Sequence, residues 1–393
     1  MSSRSILERA GSAAGWGGSR YHACMNRPAL NTPVLVCEYL SAFEGDDFSS
    51  DGSAGGSAGG GGFSEAVRQE GAAMLRALAE DLAAGGRRAA GLVHAAWKSQ
   101  WMEKTPSAGS DHLRWLWTED DDHARALVHS AVTGGWTILF IAPETDGTLG
   151  AMVELCQFLG GNVLNSDVAA IQLAGDKLAL AAHLEQHRIP TIPTVPVAIA
   201  GSWELPARTV IKPADGVGCL GIQVVEELTD EQRGRPNVIA QPFLVGRHAS
   251  VAVITSLDET GASTAVAWPA ASQKIIEQAT SDPAVRELEY GGGSLPAEGF
   301  TPAERAILEG LALAACATIP GLLGYTGVDL LWPEGSDQPV VVEINPRLCM
   351  SYLGYRQLFG PAAALAVAGC GGDRAELVNP ADPSGWRVPQ ASW

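Results

Sequence analysis

The chain of 393 residues lacks the features that define several common classes of protein. Its seven cysteines are scattered and include no C-x-x-C pair, which excludes the usual spacing of a structural zinc site or a disulfide framework. No run of about 18 apolar residues occurs, and the N-terminal stretch MSSRSILERAGSAAG lacks the apolar core of a signal peptide. We therefore expect a protein of the reducing cytoplasm without a membrane span.

Positive charge is also scarce. The chain has 26 Lys and Arg residues against 44 Asp and Glu residues, which gives a formal net charge of -18. A surface with this excess repels nucleic acids and anionic membranes, so we expect small molecules as partners. With 46% hydrophobic and 18% charged residues, the composition is that of a globular protein long enough for two or three domains.

Changes in composition and periodicity divide the chain into parts. Residues 1–30 show no clear periodicity and are predicted to be an extension. Residues 31–164 alternate between helical and strand-like segments, which predicts an α/β domain with a largely parallel sheet. Its Gly/Ser-rich segment 51–62 is predicted to be a mobile loop without a role in the chemistry. Residues 165–372 are predicted to form an α+β domain, followed by a tail over 373–393.

The predicted elements differ between these two domains. In the first, we predict helices over Ser64–Ala84, 119–133 and 148–159, with strands at 33–40, 89–97, 136–143 and 162–164. In the second, Ser166 is predicted to cap one amphipathic helical region that Pro190 ends. Strands then dominate 195–268, before a helix at 302–318 and two C-terminal strands, YTGVDLLW and PVVVEINPR.

The segment GVGCLG (216–221) has glycines spaced as in a dinucleotide-binding fingerprint, directly after the strand-like run TVIKP. A Rossmann motif requires a helix next, whereas the continuation IQVVEEL is typical of a strand. In a kinase the phosphate lysine follows the glycines, but here Lys212 precedes them, and neither H-R-D nor D-F-G occurs. Two interpretations remain: a flap whose backbone N–H groups approach phosphates, and a hairpin without a ligand.

The run VVVEINPR near the C-terminus places Glu343 and Asn345 on one face of a strand, because side chains alternate along a strand. If PEGSDQP (333–339) forms a turn, Asp329 on the preceding strand lies opposite Glu343 or close to it. Facing carboxylates destabilise a sheet unless a cation lies between them, and carboxylate and amide oxygens suit Mg²⁺. The alternative is two solvated charges on an exposed strand. Together with Lys212 and the flap, the pattern favours an ATP–magnesium site.

These motifs, in this order and spacing, resemble the ATP-grasp superfamily over roughly residues 164–372. The resemblance implies a Rossmann-like pre-ATP-grasp α/β domain followed by a two-lobed ATP-grasp domain, with ATP and Mg²⁺, or Mn²⁺ in its place, as cofactors. It implies catalytic roles for Lys212 and Arg347. The residues that it assigns to ATP are Lys177, Lys212, Gly216, Gly218, Gly221, Gln241, Phe243 and Leu244, and those that it assigns to the metal are Asp329, Glu343 and Asn345. One position departs from the pattern: His248 stands where many relatives have a glutamate for the ribose.

A narrower resemblance covers more of the chain. The segments VLVCEYLSAFEG, FIAPETDGTL, AGDKLALAAHL, WPAASQKI and EYGGGSLP are similar to the subgroup that contains tyramine–L-glutamate ligase. This implies a carboxylate–amine ligase of cofactor biosynthesis that forms an amide through an acyl phosphate, from a glutamate-like acid and a primary amine such as tyramine. A homodimer is left open as the oligomeric state.

The sequence yields only candidates for the substrate residues. Glu144 and Asp146 follow a strand of the first domain, where open α/β sheets bind ligands, and are candidates for holding an amine. Arg247 and Lys274 are candidates for holding a carboxylate, with solvated surface cations as the alternative. Two other functions stay open: another ATP-grasp ligase, of the dipeptide or D-alanine type, and a non-catalytic ATP-binding protein.

Overall fold

The computed structural model describes residues 32–43, 65–104, 111–202, 208–257 and 263–369, and the backbone of the short strand Trp386–Val388. The predicted extension, the Gly/Ser-rich loop 51–62 and, apart from that strand, the predicted tail lie outside the described residues. Among the described helices, none combines the length and the hydropathy needed to cross a membrane.

Eleven α-helices can be assigned within the described residues. They are α1 (Tyr39–Ala42), α2 (Glu65–Ala84), α3 (Lys98–Lys104), α4 (Asp121–Thr133), α5 (Thr148–Phe158), α6 (Val168–Gly175), α7 (Lys177–Gln186), α8 (Asp230–Arg233), α9 (Pro302–Ala317), α10 (Tyr352–Phe359) and α11 (Pro361–Val367).

The strands belong to two sheets. Those of the first are β1 (Val34–Glu38), β2 (Ala89–His94), β3 (Leu113–Thr118), β4 (Thr137–Ile141) and β5 (Asn162–Val163). Those of the second are β6 (Val195–Pro196), β7 (Thr209–Pro213), β8 (Gln223–Val225), β9 (Val238–Pro242), β10 (Gly246–Leu257), β11 (Ser263–Ala267), β12 (Ala271–Ala279), β13 (Val285–Leu295), β14 (Gly324–Pro333), β15 (Val340–Asn345) and β16 (Trp386–Val388).

The first sheet is entirely parallel, in the order β3-β2-β1-β4-β5. Every residue of β1 is buried, because helices cover both faces of the sheet. Leu75 and Leu78 of α2 pack with Val36 on one face, while helices α4 and α5 pack with Leu35 and Cys37 on the other. The predicted α/β architecture with a parallel sheet is therefore confirmed, and β3, which the sequence pattern did not predict, forms its edge.

The second sheet is antiparallel and curled, in the order β15-β14-β10-β12-β13-β8-β7-β9-β6. Strand β11 pairs with β10, and β16 pairs with β13. Helix α9 begins with a capping box, in which Thr301 and Glu304 bind each other's backbone N–H groups, and packs its buried face on this sheet. The predicted combination of an α/β unit and an α+β unit is confirmed.

Two local predictions were wrong. The helical region after Ser166 is two helices, because Asp176 adopts an extended conformation between them and caps α7 through the N–H groups of Leu178 and Ala179. Ser166 is not the cap; its hydroxyl group binds the backbone of Leu323. The second error is the omission of the long strands β12 and β13, whose polar side chains obscure the apolar pattern of a strand.

The two sheets are joined by a buried polar contact as well as by apolar packing. Asp81 of α2 accepts two hydrogen bonds from the guanidinium group of Arg356, at 2.9 and 2.7 Å, and one from the hydroxyl group of Tyr352 at 2.8 Å. Such a bidentate pair is directional. It therefore holds α2, which packs on the parallel sheet, against α10, which packs on the antiparallel sheet.

Candidate active site

A cavity of about 690 Å³ lies between the two sheets. The antiparallel sheet and its loops supply most of the wall, and α1, α2 and the end of β4 supply the rest. All twelve residues that the sequence assigns to ATP, metal and catalysis line this one cavity: Lys177, Lys212, Gly216, Gly218, Gly221, Gln241, Phe243, Leu244, Asp329, Glu343, Asn345 and Arg347.

The acidic part of the site is built on the hairpin β14–β15. The two strands pair so that Asp329 lies opposite Glu343, which confirms the register predicted from the turn. The amide nitrogen of Asn345 lies 3.2 Å from Asp329 Oδ2 and 3.4 Å from Glu343 Oε1, and Gln273 donates a 2.8 Å hydrogen bond to Asp329. The three predicted metal-binding side chains thus converge at one point.

The two carboxyl groups have opposite pKa shifts. Burial and the neighbouring charge of Glu343 raise the pKa of Asp329 to about 7. Burial would also raise the pKa of Glu343, but the charges of Lys177 and Lys212 outweigh it and lower that pKa to about 2. Facing carboxylates repel each other, and this repulsion is relieved by a proton or by a cation.

The donor set fits a magnesium ion. Two carboxylates and an amide, which can turn its oxygen toward an ion, provide only oxygen ligands, as Mg²⁺ prefers. Within the described part of the chain, no group of three or more His, Cys, Asp or Glu side chains is arranged to hold a metal. A metal at this site therefore depends on Asn345 and on waters or phosphate oxygens to complete its coordination.

The two lysines lie beside these acids. Lys177 is the first residue of α7, and its Nζ donates a 2.6 Å hydrogen bond to the carbonyl oxygen of Gly216 and lies 3.6 Å from Glu343 Oε2. Lys212 on β7 is only 4% exposed. Burial, which Glu343 offsets only in part, lowers its pKa to about 8. Two positive charges so close together, with one carboxylate between them, favour the binding of further negative charge.

The glycine segment forms the predicted strand–turn–strand structure. It connects β7 to β8, which pair in antiparallel fashion, and no helix follows it. Gly218, Cys219 and Gly221 have φ values of 63°, 60° and 70°, a region that side chains with a Cβ rarely adopt. A Cβ on Gly218 would lie 3.8 Å from the side chain of Val67 on α2. The flap therefore reaches across the cavity to the helix on the parallel sheet.

The predicted hinge forms another edge of the cavity. Gln241 is buried, and its side chain donates a 2.8 Å hydrogen bond to the hydroxyl group of Thr194. The guanidinium group of Arg208 lies 4.0 Å above the ring of Phe243, and the backbone N–H of Phe243 binds the carbonyl oxygen of Arg208. These contacts fix the side chain of Gln241 and the ring of Phe243, and Leu244 follows directly at the cavity wall.

His248 lies on the same wall, paired across the sheet with Leu331 and Gln273. Burial lowers its pKa, which favours the neutral imidazole. A neutral ring can still donate one hydrogen bond, so the position retains a polar group where many ATP-grasp proteins have a carboxylate.

Arg347 links the two sides of the cavity. Its Nε donates a 3.0 Å hydrogen bond to Glu144 Oε2, which belongs to the segment after β4. Burial would lower the pKa of Arg347, but the charge of Glu144 raises it, so the guanidinium group stays charged. The other carboxylate oxygen of Glu144 is buried and has no hydrogen-bond partner in the described structure.

The four substrate candidates do not line the cavity. Glu144 accepts a hydrogen bond from Arg347. Asp146 is exposed, and its backbone N–H donates a hydrogen bond to the carboxylate of Asp215. Arg247 donates hydrogen bonds to Glu304 and to the carbonyl oxygen of Gly299, outside the cavity wall.

Lys274, the fourth candidate, is exposed on β12. Its position therefore gives no support for a role in substrate binding. Two cavity residues that the sequence did not suggest are Glu70 on α2 and Tyr290 on β13. The only sequence signal for Glu70 is its place on the otherwise apolar stripe that includes Val67 and Met74.

A curled antiparallel sheet that encloses two lysines, paired acids and a glycine flap, next to a parallel α/β sheet, defines an ATP-grasp fold. In agreement, residues 174–351 match the family model described as an ATP-grasp domain. This segment contains every cavity residue that the sequence predicted. No protein of curated function matches the sequence.

Three solved structures illustrate the same fold. An ATP-grasp superfamily protein from Archaeoglobus fulgidus is 20% identical, with 88% of this chain and 90% of that one covered and a TM-score of 0.61. Biotin carboxylase from Campylobacter jejuni, in complex with βγ-ATP, is 16% identical, with 89% and 74% covered and a TM-score of 0.60. Carboxyaminoimidazole ribonucleotide synthase from Aspergillus clavatus, in complex with ATP, is 15% identical, with 91% and 81% covered and a TM-score of 0.60. These likenesses concern the fold.

Proposed function

We propose that the protein is an ATP-dependent ligase that activates a carboxylic acid and joins it to an amine. The observation that carries the proposal is the convergence of Asp329, Glu343 and Asn345 with Lys177 and Lys212 in one cavity under a glycine flap. Two of the similar structures are complexes with ATP or an ATP derivative, which supports nucleotide binding by this chain.

Each group has a role that its position supports. Lys177, Lys212 and the flap amides hold the phosphates, and Asp329, Glu343 and Asn345 would hold magnesium, which neutralises phosphate charge when bound. The acid's carboxylate oxygen attacks the γ-phosphorus and ADP leaves. The free amine nitrogen then attacks the acyl carbon, phosphate leaves, and the proton lost by the nitrogen passes to the released phosphate. Phosphoryl transfer needs charge neutralisation and alignment more than a covalent nucleophile.

The glycine flap has a function in this scheme. An acyl phosphate hydrolyses when water reaches it, and a flap that meets α2 excludes water from the reacting groups. Arg347, held by Glu144, places a fixed positive charge at the same wall and suits the stabilisation of the developing negative charge. We also propose that the pre-ATP-grasp domain spans residues 31–164 and the ATP-grasp domain 165–372.

The finer proposal concerns the substrates: a glutamate-like acid and a primary amine such as tyramine, as the subgroup resemblance implies. The test is a screen of amino acids against primary amines, with ADP and phosphate as readouts. Release of ADP that requires both an acid and an amine would establish the ligase. Release without either, or ATP binding without turnover under every combination, would instead favour an ATPase or a non-catalytic binder.

The acid is identified separately by isotope transfer. When the acid carries ¹⁸O in its carboxylate, a true substrate transfers one labelled oxygen to the released phosphate. Transfer from another acid and none from glutamate would contradict the glutamate assignment but leave the ligase intact.

A further inference from the structure

The wall that α1, α2 and β4 give to the cavity differs from the rest because it is mostly apolar. Leu40, Val67, Met74, Ile141 and Pro143 line it. Apolar walls of this kind bind apolar parts of a ligand, whereas polar groups in them fix its orientation. Only two charged side chains, both glutamates, interrupt this wall among the described residues.

The first of these, Glu38, already has hydrogen-bond partners within the protein. It is 3% exposed, and its carboxylate accepts the N–H groups of Leu40 and Ser41 and the hydroxyl group of Ser41. Gly71 on α2 makes room for it, since a Cβ there would lie 2.6 Å from the carboxyl carbon. Glu38 therefore caps α1 and packs against α2, with its oxygens occupied.

The second, Glu70, has no such partners. Its carboxylate forms no hydrogen bond and no ion pair with any of the residues that the structure describes. Burial raises its pKa, and the charge of Arg347 offsets this only in part. Glu70 is half-buried, and a carboxylate that is partly withdrawn from water without a partner is stabilised by a bound cation.

Glu70 also faces the reactive end of the cavity. Val67, Glu70, Gly71 and Met74 follow the i, i+3, i+4, i+7 spacing of one helix face, and Val67 is the residue next to the flap at Gly218. Burial and the acidic residues of the β14–β15 hairpin are the main causes of the raised pKa values of Tyr290 and Cys219. The charge of Glu70 raises both pKa values further. Glu70 therefore lies within electrostatic range of the flap and of β13.

Resting on the ligase function proposed above, we propose that Glu70 binds the ammonium group of the amine substrate, and that the carbon skeleton of this amine is apolar. The ammonium group would lie between α2 and the flap, with the apolar part against Leu40, Met74 and Ile141. The negative charge that pairs with the ammonium group is thus supplied by Glu70 on α2, and not by Glu144 or Asp146, which lie outside the cavity wall.

The test compares Glu70→Gln with Glu65→Gln. Glu65 lies on the same helix but is exposed and outside the cavity, so the control makes the same chemical change where no substrate binds. Binding of tyramine and of 2-phenylethylamine to the full-length protein is measured by calorimetry in the presence of Mg-ADP. We expect Glu70→Gln to weaken the binding of both amines by about 30-fold or more, as for the loss of one partner of a desolvated charge pair. Glu65→Gln should bind them as the wild type does.

A second measurement separates this inference from the proposed ligase. Hydroxylamine, which is largely uncharged at neutral pH, traps an acyl phosphate as a hydroxamate and needs no ammonium site. We expect Glu70→Gln to form hydroxamate from ATP and an amino acid at a rate within about twofold of the wild-type rate, because the substitution leaves the fold intact.

If no acid supports hydroxamate formation by the wild type, the ligase proposal fails, while amine binding still tests Glu70. If the wild type binds neither amine, or if both amines bind equally well to the wild type and to Glu70→Gln, the role of Glu70 is refuted. Loss of hydroxamate formation together with normal amine binding in this variant would also refute it, because it would place Glu70 in the activation step.

Discussion

The two walls of the cavity differ in how many charged groups they carry and in how these groups are paired. On the antiparallel sheet, charged groups bind one another: Lys177 contacts Glu343 and Gly216, and Asn345 lies between Asp329 and Glu343. On the side of the parallel sheet the wall is apolar, and its one unpartnered charge among the described residues is Glu70. Under the functions proposed above, the network of opposite charges suits phosphates and a metal, whereas the single carboxylate in an apolar wall suits one cation.

This difference indicates which wall is general and which is specific. Under the function proposed above, the charged wall would hold phosphates and magnesium, which requires only the correct charges in the correct geometry. Selection among amines depends on shape and on one polar contact, which an apolar wall with a single charge provides. The pair Glu144–Arg347 is the exception, since it joins the two walls directly.

The largest expected effect comes from the charged wall. We expect Glu343→Gln to lower the rate of ADP release by about 1000-fold or more, because it removes both a metal ligand and the counterion of the two lysines. Glu334→Gln, on the exposed turn of the same hairpin, serves as control and should leave the rate unchanged. Steady-state kinetics, with circular dichroism to verify folding, provide the measurement. Near-normal turnover by Glu343→Gln would rule out the metal site.

The second-largest effect on the reaction rate is expected at Lys212. Its replacement by Met removes a buried positive charge from the phosphate site, and we expect a loss of about 2–4 kcal/mol in transition-state stabilisation. Lys98→Met, at a lysine that lies over the ring of Trp117 away from the cavity, is the matched control. The readout is kcat/KM for ATP. A change below about threefold would mean that Lys212 does not contact the reacting phosphates.

The lowered pKa of Lys212 makes nucleotide binding sensitive to pH. Because burial lowers this pKa from 10.5 to about 8, the ammonium form is lost as the pH rises through that value. Ionisation of Asp329 acts near pH 7, whereas above pH 8 the ATP affinity, measured without a divalent cation, should fall by up to about tenfold per pH unit as Lys212 loses its proton. In Lys212→Met this dependence should disappear. An unchanged slope in the variant would assign the titration to another group.

A smaller effect is expected where the two walls meet. Glu144→Gln leaves the guanidinium group of Arg347 without its charged partner, and we expect kcat/KM to fall by about tenfold, since the side chain is then less well positioned. Glu154→Gln, an exposed position on α5, is the control. If Glu144 instead held the amine, the KM for the amine alone would rise and kcat would be preserved. Separate determination of kcat and of both KM values distinguishes these outcomes.

The smallest effect is expected from the Gly/Ser-rich segment 51–62, which is not among the residues that the structure describes. Its composition provides no apolar area to offset the cost of ordering it, so shortening it should leave ligation within about twofold of the wild type. The rate of ADP release with acid and amine present is the measurement. Loss of activity would identify the segment as a substrate lid.

Local patterns in the sequence determined much of the charged wall. Alternation along VVVEINPR placed Glu343 and Asn345 on one face, and the turn at 333–339 set the register with Asp329. The strand-like continuation after GVGCLG likewise predicted a strand–turn–strand structure and not a Rossmann turn. These features depend on neighbours a few residues apart, where strand periodicity and turn length decide which side chains meet.

Only the tertiary structure decided the other wall. Arg347 meets Glu144 across 203 residues of chain, and Glu70 lines the cavity only because α2 packs beside it. Because β12 and β13 carry polar side chains, the sequence pattern did not identify these two strands of the antiparallel sheet. No pattern indicated that Arg247 would bind Glu304 instead of facing the cavity. The reason is physical: periodicity defines which face of an element a residue occupies, whereas the partner of that face depends on how distant elements pack together.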